Sequence, residues 1–147
     1  MDWKKLLLIP IALLANLPNS GAQKPQESLS LGDLEAKHAV QLSAADLKQL
    51  LPNVTVKSVV AGSTRSWLNH VDGRFVAYSK SPRPGSAAVQ GAGTWRIDDN
   101  GAYCVQIALL DATERWCHMI YKLGDKYFGV DSTAKASAAV QEFQILK

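Results

Sequence analysis

The sequence predicts a mainly β fold, an antiparallel β-barrel or sandwich of about seven or eight strands with one short N-terminal helix. Three observations carry this. After Asn53 the apolar residues stop recurring at helical spacing and alternate instead, in runs rich in valine, isoleucine and aromatic residues. Short turn signals separate those runs (Asp72-Gly73, Asp99-Asn100-Gly101 and Gly124-Asp125) with no helical pattern between them. Several runs are apolar on both faces, which suits a closed or two-layered sheet.

The chain opens with residues that read as a secretory signal peptide. Lys4 and Lys5 precede an apolar run over 6–17, and Ser20 and Ala22 supply the small side chains that a signal peptidase requires. Cleavage is expected after Ala22, with export to the periplasm or beyond. The apolar run has 12 residues, against roughly 20 for a spanning helix, so no membrane span is expected in the mature chain. Residues 23–42 read as a flexible leader, polar at first and holding Pro25, with at most a helical turn or two over 31–40. Residues 43–147 form the single β-rich domain.

Residues 43–51 read as the helix. Ser43 can cap the first amides, Asp46 stands favourably near the positive end, and Leu47, Leu50 and Leu51 form one stripe. The strands follow. Residues 54–60 alternate up to Ala61-Gly62-Ser63. Residues 67–71 and 74–79 flank Asp72-Gly73, a sequence that favours a two-residue type I′ hairpin. Residues 81–92 hold two prolines and read, with their glycines, as an irregular loop, where Lys80, Arg83 and Arg74 gather positive charge. Further strands are expected over 93–98, 102–110, 115–123 and 126–130, then a small polar loop over 132–139 and a closing strand over 141–147.

The only two cysteines, Cys104 and Cys117, lie on successive expected strands. An even count in an exported chain favours a disulfide over two free thiols. If positions summing to 221 face each other, Cys104 meets Cys117 and Val105 meets Trp116. Such a bridge would close a loop of 14 residues, worth on the order of 3 kcal/mol through chain entropy. Zinc is disfavoured, because no Cys-x-x-Cys or paired histidine completes a ligand set.

Composition excludes more functions than it suggests. Beyond the signal peptide the chain carries 14 basic and 12 acidic residues, a balance with no basic block for nucleic acid. No Gly-x-Ser-x-Gly elbow is present, and His38, His70 and His118 sit in no recognisable motif. Asp98, Asp99, Asp111, Glu114 and Asp125 fall at expected turns, where backbone chemistry alone favours acids. Gly91-Ala92-Gly93 precedes a strand rather than a helix, so it is no phosphate loop. No catalytic residue, metal site or cofactor is therefore assigned.

Trp67, Trp95 and Trp116, together with Arg96 and Tyr103 on the same strands or their neighbours, are the candidate ligand-binding residues, lining a pocket in a barrel mouth. The function expected is a non-enzymatic exported binding module for a small apolar or amphipathic molecule or an envelope protein. A protease inhibitor acting through the leader is the alternative, and a hydrolase using His118 and a turn aspartate comes third.

The run GTW at 93–95, the turn ending in Gly101, Tyr103-Cys104, Trp116-Cys117 and GDKYF at 124–128 resembles a family of small exported bacterial proteins, domain of unknown function 995. The resemblance covers residues 43–131. It implies a bacterial exported β-rich protein and brings no catalytic residues. At the level of fold, the chain is also similar to small periplasmic protease inhibitors with one disulfide.

Overall fold

The computed structural model describes residues 28–110 and 112–147. The expected signal peptide, its cleavage site, residues 23–27 and Asp111 lie outside the described residues. The elements are α1 (Leu31–Ala36), β1 (Val40–Gln41), α2 (Ala44–Leu50), β2 (Thr55–Val60), β3 (Ser63–Leu68), β4 (Arg74–Lys80), β5 (Val89–Ile97), β6 (Ala102–Ala108), β7 (Thr113–Leu123), β8 (Lys126–Asp131) and β9 (Gln141–Leu146). From β2 to β9 each strand pairs antiparallel with the next, and β9 returns to pair with β2. The fold is a closed eight-stranded up-and-down barrel, which resolves the choice between barrel and sandwich. Among the described residues no helix is long and apolar enough to cross a membrane.

The helical turn or two expected over 31–40 is a helix in its own right, so the described part of the expected 23–42 leader is structured, while residues 23–27 lie outside the described residues. There are two short helices, each started by a reciprocal capping box, Ser30 with Asp33 and Ser43 with Asp46. Leu34 of α1 is fully buried against Phe128 and Val130 on the outside of the barrel. Burying a leucine fully is worth roughly 1.5–3 kcal/mol, enough to hold a six-residue helix that could not persist alone. Behind it, β1 pairs with Tyr121 and Lys122 at the far end of β7.

Two turns also differ from expectation. Asp72-Gly73 is not a two-residue type I′ turn, because only Gly73 has positive φ there and residues 69–73 separate the strands. The longer connection frees Asn69 to point inward, and Asp72 accepts hydrogen bonds from the Arg74 amide and guanidinium instead. The tight hairpin stands at Ala61-Gly62, with φ of 48° and 79° and Val60 facing Ser63. The irregular loop expected over 81–92 is shorter, since β5 already begins at Val89.

The reason for glycine within β5 is packing. Gly93 faces Phe75 across the β4–β5 pair, and a Cβ there would lie 2.0 Å from the Phe75 ring. The ring occupies the place of the missing side chain. The disulfide forms as expected, with Cys104 directly opposite Cys117 in a register that also joins Val105 to Trp116.

One end of the barrel is sealed. Leu47 and Leu51 are 0% and 1% exposed under α2, and beside them sits Asn69, also fully buried. Its Nδ2 donates to the Leu51 carbonyl (3.2 Å), while its Oδ1 accepts from Trp67 Nε1 (3.1 Å) and the Tyr103 hydroxyl (3.0 Å). Both polar atoms of that side chain are used, the condition under which a buried amide is tolerated.

Two substitutions test this architecture by denaturant unfolding. Gly93→Ala should destabilise by about 1–3 kcal/mol through overpacking, and Phe75→Leu in the same chain should recover part of the loss. Asn69→Ala should cost about 3 kcal/mol, because it leaves the Leu51 carbonyl without its donor and the buried Tyr103 hydroxyl without its acceptor, while Trp67 Nε1 keeps its bond to Tyr103.

Candidate functional site

The opposite end of the barrel is open and leads into a pocket of about 130 Å³. Trp67, Ile107 and Phe143 are buried in its lining, Trp116 and His118 are half-buried beside them, and Val60, Glu114 and Gln141 stand near the strand ends that form the rim. Strand alternation puts them there. Arg65 and Trp67 are two apart on β3, and Glu114, Trp116 and His118 are two apart on β7, so each set projects to the same inner face. The Trp116 ring stacks on His118 (centroids 4.6 Å apart) and lies 5.7 Å from Phe143 and 6.2 Å from Trp67.

An ion pair crosses the lumen. Arg65 on β3 grips Glu114 on β7 with both terminal nitrogens, Nη2 to Oε1 at 2.7 Å and Nη1 to Oε2. The side chains are 15% and 33% exposed, so the Arg65 charge is largely withdrawn from water and the Glu114 carboxylate partly so. Two buried polar atoms here have no hydrogen-bond partner among the described residues, Arg65 Nε and His118 Nδ1. At the rim, Gln141 Nε2 donates to the Val59 carbonyl (2.7 Å) and to Ser58 Oγ (2.5 Å). It ties β9 to β2 just beyond the last backbone pair, Ser58 with Phe143.

The environment of His118 favours its neutral form. Burial pushes its pKa below the usual histidine range, and the charge of Asp131 opposes this only in part. Asp131 faces His118 in the β7–β8 register but directs its carboxylate to Thr133, whose hydroxyl and amide hold its own pKa down. Gly129 makes room for the imidazole, since a Cβ there would come 2.9 Å from His118 Nδ1 and 2.3 Å from the Phe143 ring.

Of the residues singled out in the sequence, Trp67 and Trp116 meet in this pocket and three others lie elsewhere. Tyr103 is buried in the sealed half, where burial pushes its phenol up against the opposing hydrogen bonds to Trp67 and Asn69. Trp95 donates its indole N–H to the His70 carbonyl (2.8 Å) at that same end. Arg96 is on the outer face, paired with Asp98 at 2.8 Å. Sequence reasoning missed Arg65, Gln141 and Phe143 as site residues and read Glu114 only as a turn acid. The available signal was the two-residue spacing of Arg65 from Trp67 and of Glu114 from Trp116. It was hidden by starting that strand at Trp67 rather than at Ser63.

Asp98, Cys104 and Cys117 form the one group with metal-ligand spacing among the described residues. Both sulfurs are committed to the disulfide, and Asp98 Oδ2 rests 3.3 Å from Cys104 Sγ. No family model matches the chain, and neither a curated protein nor a solved structure matches it significantly.

The His118 environment has a consequence for stability. Its folded pKa lies below its unfolded value near 6.5, so the unfolded chain binds the extra proton and stability falls as pH drops below about 6.5. The shifted aspartates, Asp33, Asp46, Asp72 and Asp131, lose their contributions only at lower pH, near and below their ordinary value of 3.8. The melting temperature should therefore decline between about pH 7.5 and pH 5, and His118→Gln should flatten that decline.

Proposed function

We propose that this protein is a non-enzymatic binding module that takes a small amphipathic molecule into the open end of its barrel. The observation that carries the reading is the asymmetry of the two ends. One is filled by α2 and a polar network in which the buried Asn69 is fully partnered, while the other leads into an aromatic pocket beside which two buried polar atoms lack partners among the described residues. Filling the open half with further leucines would have been the stable choice. A concave, mostly apolar site with a few converging polar groups is what small-molecule recognition requires.

Export remains part of the proposal, supported by the cross-strand disulfide and the signal-like first 22 residues. The absence of catalytic chemistry is likewise proposed, supported by Asp131 bonding to Thr133 rather than orienting His118.

Titrating toluene while following tryptophan emission tests the reading, since Trp67 and Trp116 both line the pocket. A saturable change is expected, and Val60→Trp at the rim should abolish it with little change in melting temperature. A linear, unsaturable response that is identical in Val60→Trp would sink the idea.

A further inference from the structure

Resting on that reading, the charges of the pocket narrow its ligand. Among the described residues, Arg65 is the only cation lining it and Glu114 the only anion, and each already neutralises the other through a two-pronged contact. The remaining walls are aromatic, aliphatic or neutral polar. A ligand carrying net charge would bring an unpaired ion into a poorly hydrated space, or would have to pull Arg65 and Glu114 apart and leave one of them bare. Breaking a withdrawn ion pair by removing one partner is strongly unfavourable.

Size and shape add two further limits. A space of about 130 Å³ is close to that of an apolar cavity of roughly 150 Å³ that holds benzene. The flanking Trp67, Trp116 and Phe143 rings favour a flat aromatic partner. We infer that the pocket selects an uncharged, single-ring molecule, such as a small aryl ketone or alkylbenzene, over ionic molecules of the same shape.

Four probes of similar size decide this at about pH 7.5, where His118 is neutral: acetophenone, toluene, benzoate and phenyltrimethylammonium, each titrated by tryptophan emission and by calorimetry. Acetophenone and toluene should bind within a few fold of each other, with the two ions weaker by at least about tenfold. In Glu114→Gln, which frees the Arg65 guanidinium, benzoate should gain about tenfold while acetophenone changes little. Benzoate or the ammonium ion binding the natural chain as well as acetophenone would overturn the selection for uncharged ligands. If no probe saturates, the pocket reading itself fails, and this inference with it.

Discussion

Closure of the sheet, the pairing of β2 with β9, is the constraint on which everything else rests. Every other pair of barrel strands joins neighbours in sequence, whereas this one brings together the two ends of the barrel domain. It covers four residue pairs, from Thr55 with Leu146 to Ser58 with Phe143. Without it, two bare edges would face solvent and the inward side chains of all eight strands would have no opposite wall. The side chain of Gln141 extends the seam by one step, bonding to the Val59 carbonyl beyond the last backbone pair. That same residue stands at the pocket rim, so the last bond of the closure and the entrance to the site share one side chain.

A closed barrel of eight strands has an interior just wide enough to be filled by its own side chains, and this chain fills only part of it. Helix α2 caps one end, and the Asn69 network lets two aromatic side chains with polar tips, Trp67 and Tyr103, be buried without penalty. At the other end the filling gives way to an ion pair that spans the lumen from β3 to β7. Such a pair is a poor source of stability compared with apolar packing. Its position, bridging opposite walls above the aromatic rings, fits a role in shaping a site. Trp67 belongs to both halves, with its indole N–H in the sealed network and its ring lining the pocket.

Much of the fold was legible in the sequence because a strand writes its burial with a period of two. Tyr103, Val105 and Ile107 on β6 and Trp116, His118 and Ile120 on β7 can be read as inward from the chain alone, and the disulfide then sets the register between them. The Ser43 cap was equally plain, being a contact over three residues, though the return bond from Asp46 that makes it a capping box was not read. The site was harder to see. Arg65 and Glu114 are charged, so composition marks them as surface residues, and only their partnership across the lumen makes an inward position tolerable. Trp95 and Tyr103 looked like pocket residues because an aromatic side chain on a strand reads the same at either end of a barrel.

What the sequence determined by itself was local: the strands and most of their turns, the α2 cap, and the facing cysteines. These follow from interactions between residues close in the chain, where the choice of residue limits the backbone directly. Tertiary structure alone decided that the sheet closes rather than folding into two layers, that Leu34 and α1 dock on its outside, and which end stays open. It also decided that Gly93 and Gly129 exist to admit the Phe75, Phe143 and His118 rings. Those outcomes depend on which side chains meet across the barrel, and the pairing of distant residues through space leaves no periodic mark along the chain.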